Sequence, residues 1–317
     1  MKRALRIIGT VLALSWIGWL IVQQAPNLPA LDLSSPALWA ALMLALCCYV
    51  ISQLAAAEAW CRILSFRQVA IAPQRARSQP MISQIGKYIP GNVAHLFGRL
   101  VIGRRDGVAG GVLVASMVLE IGFTLAAGFT VAAALLLFMP DTLPRLARDF
   151  PRVSAWLTPQ LIAVALIIGG ALGAVLLKRR LRNLDLPQPG LRQLASPLAL
   201  HITTFPVLGI SLWATALAVS PDAAPGLVTC ILVFAFAWVA GFVMPGAPGG
   251  IGVRDSIIVL GLAASLGEGS GLAIALLHRA ISVLGDVATF GIGWKMRHSK
   301  ARAVPRNRPD SAPFLAD

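Results

Sequence analysis

Apolar residues along this chain come in long runs, and charged residues fall mostly between the runs rather than inside them. Runs of membrane-spanning length lie near 4–22, 36–57, 108–139, 160–177, 198–219, 226–243, 251–267 and 271–294. About 20 apolar residues in a helix cross ~30 Å of hydrocarbon. The pattern therefore predicts an all-α fold, a polytopic helical bundle in the membrane with about eight spans. The run 108–139 is long for one perpendicular crossing, which predicts a tilted span or one that starts as a surface helix. The run 251–267 is short and comes after a cluster of glycines and prolines, which predicts a broken helix.

Composition sharpens this picture. Of 317 residues, 57% are hydrophobic and 13% charged, with a net charge of +14; a soluble domain carries roughly twice that charged fraction. With the N-terminus inside, the segments 1–6, 58–107, 178–197 and 295–317 hold 22 of the 27 Lys and Arg, and the outside loops hold 3. The remaining two, Arg254 and Arg279, sit in or at the edge of spans. That bias predicts an even number of spans with both termini cytoplasmic. It also explains the basic charge without nucleic acid, for which a basic aromatic face is missing. Cys47, Cys48, Cys61 and Cys230 form neither a C-x-x-C pair nor a disulfide framework, and no metal site is expected. The stretch after Lys2, Arg3 and Arg6 reads as an uncleaved first helix rather than a signal peptide. The Arg- and Pro-containing tail, 298–317, reads as a disordered cytoplasmic extension.

Two segments depart from plain helix. In GKYIPGNVAHLFGR, 86–99, Pro90-Gly91 breaks the helix, Asn92 is placed to cap a second helix, and Val93, Leu96, Phe97 and Leu100 recur at helical spacing. The segment reads as a re-entrant hairpin or an interfacial helix. In PGAPGGIGVRD, 245–255, Pro245 and Pro248 end one helix; Gly246, Gly249, Gly250 and Gly252 permit close backbone approach; Arg254 and Asp255 open the next. A helix N-terminus beside an arginine favours anions, and broken helices at depth point to transport sites. A tight cytoplasmic turn is the plainer reading. Both segments read Pro-Gly, seven residues, Arg, which suggests two related halves, 1–177 and 198–297, joined by the basic linker 178–197.

Ionisable residues inside spans are costly and persist where they meet a partner or a cavity. Glu120 lies in the run 108–139; His278, Arg279 and Asp286 lie in the last span. Arg279 with Asp286, or Arg279 with Glu120, are the candidate pairs, as a structural salt bridge or as a headgroup or proton site. His201, beside Thr203 and Thr204, reads as an interfacial or packing residue, and Trp156, Trp213 and Trp294 fit an aromatic belt. The chain carries no G-x-x-x-x-G-K-[ST] loop, G-x-S-x-G elbow or H-E-x-x-H, so ATP hydrolysis and familiar hydrolase chemistry are not expected, and no catalytic residue is assigned.

These motifs carry a resemblance. GKYIPGNVAHLFGR resembles the G-K-Y-[LI]-P-G-x-x-x-x-x-x-G-R stretch of the flippase-like family, the membrane region also found in lysylphosphatidylglycerol synthases. PGAPGGIGVRDSIIVLGL, 245–262, is similar to that family's second motif, and ALLHRAISVLGD, 275–286, to its A-x-x-x-R stretch. AEAWCRIL, 57–64, resembles its Arg/Trp element, although Trp60 here precedes Arg62. The resemblance runs to about residue 297. It implies a stand-alone flippase-like domain, 1–297, in the bacterial inner membrane, without the synthase domain and so not expected to make the modified lipid itself.

The resulting expectation is translocation of an anionic or phosphate-bearing lipid, aminoacyl-phospholipids and lipid-linked intermediates included. Membrane lipids and a separate lipid-modifying enzyme are the expected partners, and no cofactor is expected. The candidate substrate-binding residues are Lys87, Tyr88, Asn92, Arg99, Glu120, Gly249, Gly250, Gly252, Arg254, Asp255, Arg279 and Asp286. The alternative is an intramembrane enzyme or accessory subunit acting on lipid-linked groups such as polyprenyl-phosphate sugars. It would rely on Glu120 or Asp286.

Overall fold

Backbone polar groups in hydrocarbon must be satisfied within the chain, and helices do this locally. The computed structural model describes residues 22–23, 25–67, 69–88, 93–138, 190–243 and 252–299. Among these it has eight α-helices and no strand. They are α1 (Pro36–Phe66), α2 (Pro73–Ser83), α3 (Ala94–Arg105), α4 (Gly110–Phe138), α5 (Leu191–Val219), α6 (Leu227–Val243), α7 (Val253–Leu266) and α8 (Glu268–His298). A 3-10 turn, Gln84–Tyr88, continues directly from α2. The expected spans at 4–22 (its last residue apart) and 160–177, most of the linker 178–197 and all but the first two residues of the tail lie outside the described residues.

Four helices, α1, α4, α5 and α8, are long and apolar enough to cross a membrane, and α6 is a shorter apolar helix. The all-α bundle expected from the hydrophobic runs is therefore what the chain forms. Trp39, Met43, Ile51 and Leu54 of α1, Val114 and Val118 of α4, and Leu284, Val287 and Ile292 of α8 point outward and exposed. That much outward apolar surface suits lipid, not water. Within the run 108–139, Gly110–Phe138 form one continuous helix.

Contacts between helices set their directions. Arg62 bonds Ser196 and Ser211 Oγ bonds the Ala45 carbonyl, so α1 and α5 run antiparallel. Thr124 meets His201, and a Cβ on Gly128 would meet Phe205, so α4 and α5 run parallel. The largest core lies between α5, α6, α7 and α8 around Leu212, Phe234, Ile258, Leu262 and Ile274. A second joins α4, α5 and α6 through Ala132, Phe205 and Leu232.

Helix α8 is the axis on which two short elements meet. Its first half pairs with α7: Asp255 reaches Arg279, and a Cβ on Gly271 would lie 2.9 Å from the Val259 carbonyl oxygen. Its second half pairs with α2, the 3-10 turn and α3. Lys87 in that turn meets Asp286, Met81 of α2 packs at Gly293, and Asp106 just past α3 meets Arg297. Asp286 and Arg297 are about eleven residues apart, roughly 16 Å along the helix. On α1, Tyr49 contacts Lys87 at the tip and Trp60 contacts Gln79 nearer the base, again a separation of roughly 16 Å. The α2–α3 unit thus runs between α1 and α8 for roughly 16 Å of their length, about half a hydrocarbon thickness; it is called the hairpin below. Helix α7, with 14 residues, spans roughly 21 Å and is also too short to cross.

Gly86 makes the tip possible: a Cβ there would sit 2.8 Å from the backbone nitrogen of His95. At the other break, Gly252 takes φ +88°, a conformation that glycine adopts without strain. Its N–H donates to Asp255 Oδ2 at 3.2 Å, which closes the first turn of α7. Val93, not Asn92, holds the N-cap position of α3, and no side chain caps it. Asn92 itself, with Pro90, Gly91, Pro245, Pro248, Gly249 and Gly250, lies outside the described residues.

Candidate functional site

The hairpin tip, α3 and the start of α7 face one another across a cavity of about 210 Å³, completed by α1, α4, α5 and α6. One wall is polar: Gln53, Gln84, Lys87, His95, Arg99, Glu120, His201 and Arg254. The other is apolar: Phe205, Leu208, Phe234, Trp238 and Phe242. Trp238 stacks on Phe242 and meets Phe205 edge-on.

Three ion pairs support the polar wall. Arg99 of α3 pairs with Glu120 of α4, and its guanidinium lies over the Trp60 ring, 4.8 Å from the centroid. Trp60 Nε1 donates to Gln79 Oε1 at 3.0 Å, and Gln79 Nε2 donates to Asp106, which also holds Arg297. Lys87 Nζ lies 2.6 Å from Asp286 Oδ2. Asp286 is fully buried and also accepts from Tyr49 and Gln53 on Oδ1 at 3.0 and 3.1 Å, and from Tyr88 on Oδ2. Arg279 Nη2 bonds both oxygens of Asp255, at 2.7 and 2.6 Å.

Neither pairing expected for Arg279 forms. Arg279 and Asp286 share a face of α8, but seven residues separate them by roughly 10 Å, and the hairpin tip saturates Asp286. Glu120 is held by Arg99. Arg279 reaches sideways instead, to the first turn of α7. His201, expected to be interfacial or in packing, is buried and lines the cavity.

Arg254 differs from the other three cations. Among the described residues, its side chain is 9% exposed, its closest carboxylate oxygen, on Asp255, is 4.0 Å from Nε, and its one hydrogen bond runs from Nη2 to Ser282 Oγ at 3.3 Å. Phe234 lies beneath it, 5.9 Å away. Four residues that line this cavity each bury a nitrogen with no hydrogen-bond partner among the described residues: His95 Nδ1, Arg99 Nε, His201 Nε2 and Arg254 Nε. Unsatisfied buried polar atoms are costly and uncommon.

Of the candidate residues, Lys87, Arg99, Glu120 and Arg254 line the cavity directly. Tyr88 and Asp286 hold Lys87 from behind, Gly252 and Asp255 shape the start of α7, and Arg279 anchors Asp255. Asn92, Gly249 and Gly250 lie outside the described residues. Tyr49, Gln53, His95 and His201 were not among the candidates. Tyr49 and Gln53, four apart on α1, are polar groups on one face inside an apolar run, a signal open to sequence reading. Among the described residues, no group of His, Cys, Asp and Glu could hold a metal ion. Comparison with models of protein families and with curated proteins gives no match.

Proposed function

We propose that this chain moves a lipid with a charged, phosphate-bearing headgroup between the leaflets of a bacterial inner membrane. The observation that carries the reading is the cavity at the meeting point of two short elements, lined by the buried arginines Arg99 and Arg254. Guanidinium groups suit phosphate oxygens, and the aromatic and aliphatic wall suits the start of acyl chains. The resemblance to flippase-like membrane domains agrees with this assignment. The enzyme alternative has less support, because Glu120 and Asp286 are each engaged by a cation rather than poised beside an open reacting position.

Charge sets the orientation. The end of the bundle formed by the C-termini of α1, α3 and α8 and the N-termini of α2 and α5 carries Arg62, Arg75, Arg77, Arg104, Arg105, Arg192, Lys295 and Arg297. Under the positive-inside rule that end is cytoplasmic, and the hairpin enters from it.

The test is reconstitution of the purified chain into vesicles with tail-labelled phospholipids and a labelled polyprenyl-phosphate. Leaflet exchange of at least one phosphate-bearing lipid should exceed the rate in empty vesicles, and Arg254→Gln should lower it. Exchange at the empty-vesicle rate for every lipid would overturn the reading.

A further inference from the structure

The same cavity has a hydrogen-bonding and charge bias that narrows its cargo, an inference that rests on the translocation reading. Arg99 and Arg254 line it with guanidinium donors.

The charge balance adds a second constraint. Lys87, Arg99, Arg254 and Arg279 stand against Glu120, Asp255 and Asp286, one positive charge in excess. The connecting segments 89–92 and 244–251 contain no charged residue, so they do not alter the balance. Each carboxylate already has a close cation.

We infer that the cargo is a singly charged phosphodiester lipid, and that amine-bearing and aminoacylated headgroups are disfavoured. One phosphodiester charge cancels the excess, and its oxygens accept from the guanidinium groups of Arg99 and Arg254. An added ammonium would restore the excess charge where no carboxylate is free to receive it. The volume of about 210 Å³ accommodates a headgroup and leaves acyl chains outside.

The experiment compares leaflet exchange of five tail-labelled lipids by the intact chain in vesicles: phosphatidylglycerol, phosphatidylmethanol, phosphatidylethanolamine, phosphatidylcholine and lysyl-phosphatidylglycerol. Phosphatidylglycerol and phosphatidylmethanol, which carry the same single negative charge, should move fastest. The two zwitterionic lipids and the lysyl lipid should be at least about tenfold slower. An ethanolamine, choline or lysyl lipid that matches phosphatidylglycerol overturns the charge assignment and leaves translocation standing, with Phe205, Trp238 and Phe242 as the ammonium-binding wall. Uptake of soluble glycerophosphoglycerol into vesicles without lipid exchange would reassign the site to a free solute. If none of the five lipids moves above the empty-vesicle rate, this inference fails. Translocation itself fails only if the polyprenyl-phosphate is also immobile.

Discussion

Removing either partner of the Arg99–Glu120 pair has a different consequence from removing Arg254. Both members of the pair are buried, so Glu120→Gln leaves a guanidinium without its counter-charge, a change that costs about 3–5 kcal/mol in buried pairs. Replacing both partners with apolar side chains recovers much of that loss, because the desolvation cost of each charge disappears with it. Thermal unfolding in detergent should therefore rank wild type and Arg99→Met/Glu120→Met close together, with Glu120→Gln well below. The double variant should still fail to move lipid. A single variant as stable as the wild type would mean that water reaches the pair. Arg254 lacks a carboxylate closer than 4.0 Å, and Asp255 keeps Arg279 when it is gone. Arg254→Gln should unfold within about 1 kcal/mol of wild type while lipid exchange falls at least about tenfold. Strong destabilisation would instead make Arg254 a packing residue.

At the scale of elements, the hairpin depends on a glycine that no other residue can replace without movement. A side chain at Gly86 would press on the backbone of His95, where a rotamer change gives no relief. Gly86→Val should push the tip away from Asp286, lower lipid exchange and destabilise the chain by a few kcal/mol. Depth can be read independently. In a variant with Cys47, Cys48, Cys61 and Cys230 changed to Ala, Ile85→Cys at the tip should resist a membrane-impermeant thiol reagent, while Arg104→Cys near the base reacts. Equal labelling of both would place the hairpin at the membrane surface. The two breaks were legible in the sequence because proline and glycine interrupt apolar runs by a local mechanism. The long spans were legible for the same kind of reason, since hydrophobic length is a one-dimensional quantity. Ion-pair partners were not legible, because they depend on how α7, α8 and the hairpin pack. Spacing on α8 put Arg279 with Asp286, whereas the actual partners, Asp255 and Lys87, come from other elements. His201, expected at the interface or in packing, is buried, and the parallel approach of α4 brings Thr124 to it beside the cavity, a neighbour that only the packing of helices reveals.

For the whole molecule, helix directions decide which residues share an end of the bundle, and charge alone argues for the side of the membrane that end faces. Contacts place the C-termini of α1 and α8 and the N-termini of α4 and α5 at one end of the bundle. The described arginines and lysines outside the cavity region gather at that end. The opposite end, with the α5–α6 turn and the start of α8, carries Asp222 and Glu268 and no basic residue among those described. Membrane insertion favours leaving the basic end in the cytoplasm. In the cysteine-free background, Asp222→Cys should therefore react with an impermeant thiol reagent added to intact cells, and Arg104→Cys should react only in inverted vesicles. Both residues are exposed, so silence from either cannot be ascribed to burial in protein. The reverse pattern would send the hairpin in from the outer leaflet and reverse the side from which a headgroup first meets Arg254. Labelling of both from one side would require that the turn at Asp222 and the hairpin base share a membrane face. Helix α5, long and apolar enough to cross a membrane, separates the two, and the bundle itself would then have to be redrawn.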